Sequence, residues 1–425
     1  MKRVLLLPHG TAGDVFPQIW VGRQMLKRGH KVTMVWTEAF REVALKAGLD
    51  FVALKDDGYE ELIRNPGLWK PRESLKLTYS FAGRSIAPYV RAVMEYVDRH
   101  GRPDLMLAPI MAFAAPLLRA RLGVPLVTTH VATLQLMSAC EVPLSVPAAR
   151  LLRKLPLLLR QTILNRVAPY DHFALPHVRR ACQEQGVRPP RRLRDWWHSP
   201  DGGLALFPDW YARPQADWPA QTLQWDFPLE DIAEEKPLEP ELSAFLDAGD
   251  KPVVFTLGSF HAHSKRFFEV AAGIAAQMSC RAVFATRDLS QVPAGLPSSV
   301  FVTAYAPFSV LLPRASAFVH HGGIGTTSQC FAAGLPQFIT PLAYDQPDNA
   351  EYVVRLGAGL TLDIDKFTAK HALPLLQRCV TDAGIRQQAA ACARRLRHRP
   401  DADKLTAWLE ERRFFPVPPL ASSPT

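Results

Sequence analysis

FVHHGGIGTTSQCFAAGLPQFITPLAYDQPDN, residues Phe318 to Asn349, is the stretch on which the fold turns. An apolar strand runs straight into a glycine-rich turn and then into a helix, which is the outline of a phosphate site. Gly322, Gly323 and Gly325 let the backbone turn tightly and approach a ligand without Cβ interference. Thr326, Thr327 and Ser328 open a helix whose unpaired N–H groups favour an anion. His321 stands on the lip of the turn, where its ring can donate to a phosphate oxygen. The helix stops at Gly334-Leu335-Pro336, and a further strand, Gln337 to Thr340, delivers Asp345 and Gln346 to the same edge.

The same alternation extends upstream. Pro252 to Leu257 is a strand, Gly258-Ser259 a tight turn, Lys265 to Met278 a helix, and Arg281 to Ala285 and Val300 to Thr303 are strands. The beginning of the chain follows the same order: strand Val4 to Leu7, turn Pro8 to Asp14, a helix from about Phe16-Pro17 to Arg28, and strand Lys31 to Trp36. Asp104 to Ala108 and Leu126 to Thr129 add parallel strands. The expected fold class is α/β, with two Rossmann-like doubly wound domains facing a central cleft, each with a glycine turn after its first strand. Residues 1–213 and 246–393 form the two domains, and the Pro-, Trp- and acid-rich stretch 214–245 links them. A helix within 394–413 follows, and the Pro- and Ser-rich tail 414–425 is expected to be disordered. Asp56 to His100 and Ala132 to about Asp201 are Leu-, Pro- and Arg-rich with a helical period. Insertions of that size at strand ends build substrate pockets.

Composition narrows the function classes. At 425 residues with 21% charged and 48% hydrophobic residues, the chain has the make-up of a soluble globular protein with two cores. Its longest apolar run, Leu105 to Leu118, falls short of a bilayer and contains Pro109 and Pro116, so it reads as a strand and a buried helix. The apolar run in MKRVLLLPHG ends after a few residues in a Pro-His-Gly turn, which argues against a signal peptide. The cysteines at 140, 182, 280, 330, 379 and 392 form no Cys-x-x-Cys pair, pointing to reduced thiols in a cytoplasmic protein and away from a zinc site. The formal charge is +10, with arginines crowded between Arg150 and Arg194 and between Arg394 and Arg413. A solvated basic face is the first explanation, an anionic ligand or membrane surface the second, and nucleic acid the last, because no nucleic-acid motif accompanies the charge.

HGGxGT alone occurs in many strand-to-helix turns. The longer string, unbroken from Tyr305 to about Gly359, closely resembles the donor-binding signature of family 1 glycosyltransferases, enzymes with the GT-B fold that use nucleotide sugars. The resemblance implies that the second domain binds the donor and the first the acceptor. It implies that His321 and the turn Gly323 to Thr327, with Gly325 and Thr326, hold the diphosphate, and that Asp345 and Gln346 hold sugar hydroxyls. Ser259, Tyr305 and Ala306 complete the implied donor set, Tyr305-Ala306-Pro307-Phe308 standing where plant relatives carry a base-stacking Trp. Gln329 takes the position at which members with uridine-type donors carry a Glu that grips two ribose hydroxyls. Gln accepts two such bonds less well and a deoxyribose offers only one of those hydroxyls, which suits a thymidine diphosphate sugar.

The first glycine turn, HGTAGDVFP at His9 to Pro17, lacks the dinucleotide fingerprint. It resembles the GT-x-GD-x-x-P turn of bacterial family 1 enzymes that glycosylate natural products, in which the acid faces the cleft as general base. Asp14 takes that position. An acceptor hydroxyl is a poor nucleophile unless its proton leaves as the sugar C1 gains oxocarbenium character, and a carboxylate in hydrogen-bond reach can take it. The competing reading of Asp14 is a helix N-cap. His9 and Thr11 are candidates for the acceptor side, His9 also as a rival base or a structural residue of the turn. His130, after the strand at Leu126, either lines the cleft or is a core histidine.

Within the family the chain looks closest to the rhamnosyltransferases of rhamnolipid biosynthesis. That implies transfer of L-rhamnose from dTDP-L-rhamnose to the hydroxyl of a 3-(3-hydroxyalkanoyloxy)alkanoate, a hydroxy fatty acid acceptor, with inversion, no metal and no cofactor. It also implies a cytoplasmic protein with peripheral attachment to the inner membrane and no nucleic-acid partner. The other readings are a family 1 transferase with another nucleotide sugar and a small hydrophobic acceptor, a nucleotide-sugar epimerase, and a non-catalytic partner subunit.

Overall fold

The computed structural model describes residues 1–229, 237–258 and 264–415. Parallel strands covered on both faces need continuous apolar runs, and the chain supplies them: Val4, Leu5 and Leu6 are fully buried, as are Val254 and Phe255. The first sheet contains β1 (Arg3–Leu6), β2 (Lys31–Trp36), β3 (Asp50–Ala53), β4 (Leu105–Pro109), β5 (Leu126–His130), β6 (Gly203–Ala205) and β7 (Thr222–Gln224). Its strands are all parallel, in the order β3-β2-β1-β4-β5-β6-β7. The second contains β8 (Val253–Phe255), β9 (Ala282–Ala285), β10 (Val300–Thr303), β11 (Ala317–His320), β12 (Gln337–Ile339) and β13 (Gly359–Thr361). These run parallel in the order β10-β9-β8-β11-β12-β13. The strand order reverses between β1 and β4 and again between β8 and β11. The crevices where α/β sheets take ligands therefore lie beside the turn after β1 and the turn after β11.

Helix Ala12–Lys27 begins well before the expected Phe16, so Pro17 lies inside it. A proline this close to a helix start suggests the first helical position. Here Thr11 is the N-cap instead, and the carbonyl left without the Pro17 N–H belongs to Gly13, which is exposed and open to water. The long insertions form helices Tyr59–Arg64, Pro71–Arg84 and Ile86–His100, and Ala149–Leu152, Leu157–Arg166 and Asp171–Glu184. Pro71–Arg84 and Asp171–Glu184 pack closely: a Cβ on Gly83 would stand 2.8 Å from the His177 ring.

Two boundaries differ from expectation. β7 lies inside the stretch 214–245 read as a linker, and helix Pro240–Asp247 already packs Leu242 and Leu246 into the core of the second sheet. The connection between the sheets is thus shorter than composition suggested, and part of it, 230–236, lies outside the described residues, as does most of the 414–425 tail. The helix expected over Arg394 to Leu409 is two, Ala383–Arg397 and Ala402–Glu410, separated around Pro400. The last one docks on the first domain, where Arg28 donates twice to Glu410 (3.1 Å each) and the His30 ring meets Glu410 at 2.8 Å. Beside it, Arg119 and Asp201 form a buried two-pronged ion pair at 2.6 and 2.7 Å, and the Leu126 N–H also donates to Asp201 (2.9 Å). No helix among the described residues is long and apolar enough to cross a membrane.

Candidate active site

Helix Ile324–Ala333 starts directly after the turn that leaves β11, with Gly323 as N-cap. The N–H groups left for a ligand are those of Gly325 and Thr326, since the Thr327 N–H already donates to the Gly323 carbonyl (2.9 Å) and the Ile324 N–H to the Asp345 carboxylate. The expected anion contacts from Thr327 and Ser328 therefore move one turn earlier: Thr327 is fully buried, and the Ser328 hydroxyl donates to the Gly325 carbonyl (2.8 Å). Gly325 and Thr326 stay on the open first turn. His321 is wedged between two glycines, because a Cβ on Gly258 or on Gly323 would stand 2.7 Å from its ring. Burial pushes its pKa down to about 4, so the ring is neutral at physiological pH and offers a single N–H donor. His320 fixes this turn: its Nδ1 accepts the Gly322 N–H (3.1 Å) and its Nε2 meets Gln337 Oε1 at 3.0 Å.

The loop after β12 closes the donor side. Gln346 Oε1 accepts the N–H groups of Leu342 (2.8 Å) and Ala343 (3.1 Å), so it is already used to hold the loop, and only its amide nitrogen is left for a ligand. Asp345 accepts from Asn349 Nδ2 (2.7 Å) and from the Ile324 N–H, which sets its carboxylate against the helix start. Of the remaining candidates, Tyr305 is half-buried and its N–H and carbonyl are both tied to the Thr303 hydroxyl (3.2 and 2.8 Å). Ala306 is buried in the second domain's core, so only its backbone can reach a ligand. Gln329 lies half-buried on the same helix. Ser259 lies outside the described residues.

On the opposite side, Asp14 is not the N-cap but the third residue of its helix, and its Oδ2 accepts the Thr11 N–H (3.2 Å). Gly10 makes this possible: it takes a left-handed φ of 117°, and a Cβ there would lie 2.3 Å from Asp14 Oδ2. Thr11 itself is exposed at the cap. Desolvation first and the charge of Asp345 second push the Asp14 carboxyl up to about 7, against the lowering effect of the Thr11 N–H. Asp345 of the second domain is thus near enough for its charge to act on Asp14 of the first. Tyr59 and Tyr344 also feel the Asp14 charge. Tyr344 holds an uncommon left-handed backbone (φ 59°) and donates its hydroxyl to the Leu68 carbonyl (2.7 Å) of the first domain. A second bridge runs from Tyr211, whose hydroxyl donates to Asn349 Oδ1 (2.8 Å), through Asn349 to Asp345. Further crossings are the Leu144 N–H to Asp348 (2.7 Å) and Arg153 to Glu351 (2.9 Å).

His9 is buried at the turn after β1, and neither of its ring nitrogens has a protein partner. It is 4% exposed, its ring packs 5.1 Å from Trp36 and 5.2 Å from Phe81, and desolvation pushes its pKa down to about 3. His130, at the carboxyl end of β5, is fully buried, and neither of its ring nitrogens has a protein partner. His320, Tyr344 and Asn349 lie within the stretch Phe318 to Asn349 but were not singled out there, and Tyr211 comes from the first domain with no local pattern to mark it. Their parts in the site follow from contacts between distant segments.

Two family models match the chain. Residues 4–97 match the glycosyltransferase family 28 N-terminal domain, and residues 265–411 match the erythromycin biosynthesis protein CIII-like C-terminal domain. The chain is 30% identical to O-mycaminosyltylonolide 6-deoxyallosyltransferase of Streptomyces fradiae, over 93% of its own length and 92% of that protein. Among solved structures it superposes on the glycotransferase of kitacinnamycin with a TM-score of 0.72 at 20% identity, covering 96% of this chain and 98% of that one. It superposes on spinosyn rhamnosyltransferase complexed with thymidine diphosphate with a TM-score of 0.69 at 17% identity, covering 96% and 100%. The chain belongs to the erythromycin CIII-like family of antibiotic glycosyltransferases, nucleotide-sugar enzymes with the GT-B fold.

Proposed function

We propose that this glycosyltransferase moves a deoxyhexose from a thymidine diphosphate sugar to the hydroxyl of a small hydrophobic acceptor, with Asp14 as general base. The observation that carries the reading is that Asp345 accepts the Ile324 N–H at the start of helix Ile324–Ala333 while its charge also acts on Asp14 of the first domain. A diphosphate on the Gly325 and Thr326 N–H groups and His321 puts the sugar between the two acids. Asp345, with the Gln346 amide, orients the sugar hydroxyls. The acceptor oxygen attacks C1, its proton passes to Asp14, the bond from C1 to the phosphate oxygen breaks, and the nucleoside diphosphate leaves. Charge on the leaving diphosphate is met by the helix start.

The thymidine preference rests on Gln329, and a rhamnosyltransferase with thymidine diphosphate stands among the structural relatives. The narrower reading takes L-rhamnose as the sugar and a 3-(3-hydroxyalkanoyloxy)alkanoate as the acceptor. It is supported by the sequence resemblance to rhamnolipid rhamnosyltransferases and by the aromatic, arginine-bearing insertions beside Asp14. The broader reading, a polyketide or macrolide hydroxyl, is supported by the family and the relative from Streptomyces fradiae. A panel of dTDP-L-rhamnose, two other dTDP-deoxyhexoses and a UDP-hexose against a hydroxyalkanoate dimer and a macrolide aglycone separates them. Turnover only with UDP-sugars overturns the thymidine assignment, and turnover only of the aglycone overturns the lipid one.

A further inference from the structure

Asn349 stands at the junction of the donor turn, the acid Asp345 and the first domain, and the reaction above gives it no part. It is fully buried on helix Gln346–Arg355. Both hydrogens of its Nδ2 are used: one is donated to the Gly322 carbonyl (2.8 Å), on the turn that leaves β11, and the other to Asp345 Oδ2 (2.7 Å). A carbonyl and an ionised carboxylate only accept, so the amide can serve both in one orientation alone, with Oδ1 turned away from them. There Oδ1 accepts from the hydroxyl of Tyr211 (2.8 Å). Tyr211 comes from the segment after β6 in the first domain. Its ring is held 5.1 Å from that of Phe227, and 6.0 and 4.8 Å from those of Phe331 and Tyr352 in the second domain. Burial first, with the charges of Asp345 and Asp348 among the lesser causes, holds the Tyr211 pKa well above its ordinary value, so the hydroxyl keeps its proton and stays a donor.

The consequence falls on Asp345. Burial raises its pKa, and the Asn349 amide is the largest of the effects that bring it back down, ahead of the Ile324 N–H. A carboxylate that is to hold sugar hydroxyls has to be ionised and fixed in rotation, with lone pairs to spare. The Asn349 and Ile324 bonds meet the first two needs, and a carboxylate has acceptor capacity beyond two bonds. We propose that Asn349 is a positioning residue for glycosyl transfer: it aims the Asp345 carboxylate at the sugar, and the Tyr211 hydroxyl, arriving from the first domain, fixes the amide in the orientation this requires. The sugar site is then complete only where the two domains meet, although the groups assigned to the donor all lie in the second. The proposal rests on the reading in which Asp345 holds sugar hydroxyls, and it adds the residues that orient that acid. An amide that merely ties its helix to the Gly322 turn would support diphosphate and sugar alike, whereas a positioning role acts on the sugar.

The test uses the full-length enzyme and compares calorimetric binding of dTDP with that of dTDP-L-rhamnose and dTDP-D-fucose. The proteins are the wild type, Tyr211→Phe, Asn349→Asp, Asp345→Ala and the double variant Tyr211→Phe/Asp345→Ala. Tyr211→Phe keeps the ring and its packing and deletes only the hydroxyl. It should leave dTDP affinity unchanged and weaken binding of the sugar nucleotides by about three- to tenfold, as expected for losing one neutral hydrogen bond. Asn349→Asp keeps an acceptor for Tyr211 but withdraws both donors, and should weaken sugar-nucleotide binding by about ten- to a hundredfold more than it weakens dTDP binding. In the Asp345→Ala background Tyr211→Phe should cost nothing further, because the carboxylate through which it acts is gone. Wild-type sugar-nucleotide affinity in Tyr211→Phe, equal losses for dTDP and the sugar nucleotides, or additive losses in the double variant would make Asn349 a structural tie and overturn the proposal. If Asn349→Asp does not fold, Tyr211→Phe and the double variant decide alone. A wild type that binds no dTDP, or an Asp345→Ala protein with undiminished sugar-nucleotide affinity, is instead a failure of the donor reading, and the proposal falls with it.

Discussion

Asp14 titrates in the range where the enzyme works, and this gives the base assignment its sharpest test. With its carboxyl pushed up to about 7, first by desolvation and then by Asp345, about one molecule in eleven carries the ionised base at about pH 6 and about ten in eleven at about pH 8. If proton removal limits turnover, kcat/KM for the acceptor should rise about tenfold between those values and then level off. Asp14→Asn should abolish the rise and cost on the order of 10²–10⁴ in kcat, with dTDP binding intact. Asp345→Asn removes the second cause only, so the midpoint should move towards acid yet stay above the ordinary carboxylate range. Stability carries the opposite sign. Native Asp14 keeps its proton to higher pH than the unfolded chain does, so its ionisation costs nothing below the unfolded pKa and progressively more as the pH rises through about 7. Asp14→Asn should therefore melt above the wild type at about pH 8 and level with it at about pH 4. Continuous dTDP release across the pH range, with melting curves in the same buffers, measures both. A flat rate profile, or near-normal kcat in the Asn variant, would reduce Asp14 to a helix-start residue.

Three further outcomes are expected. His321→Ala should weaken dTDP binding by about 1.5–3 kcal/mol, the loss of a hydrogen bond to a charged group, and unchanged calorimetric affinity would remove His321 from the donor site. Gln329→Glu should shift nucleotide preference from dTDP towards UDP, since the carboxylate can accept from two ribose hydroxyls, and equal binding of both nucleotides by both proteins would contradict this. Asp201→Ala leaves the buried Arg119 guanidinium without its carboxylate, with only the Phe415 carbonyl as acceptor, and should cost about 3–5 kcal/mol in denaturant unfolding. Wild-type unfolding of that variant would mean that Arg119 finds another partner or water.

The chain order of strands, turns and helices could be read from the sequence because parallel strands buried on both faces are apolar runs and glycine turns punctuate them. β1, β2, β4, β5 and β8 to β12 all fall where hydrophobic pattern puts them. β3, β6, β7 and β13 did not stand out because polar or glycine residues interrupt their apolar runs (Asp50, Gly203, Thr222 and Gln224, Gly359 and Thr361), and β7 lay hidden in a stretch whose prolines and acids suggested a linker. The donor turn was legible for a local reason: glycines, His321 and the helix start are neighbours in sequence and need only backbone geometry to converge. What only the tertiary structure decided is which polar groups are already engaged and which are left over. Asp14 became the third residue of its helix once Thr11 proved to be the cap, and its raised pKa comes first from burial and then from Asp345, far along the chain in the other domain. His9 went into an aromatic core and Gln346 turned its oxygen to its own loop, while Tyr211 and Asn349 came together from separate domains. Burial and hydrogen-bond satisfaction are sums over contacts distant in sequence, and no local pattern encodes them.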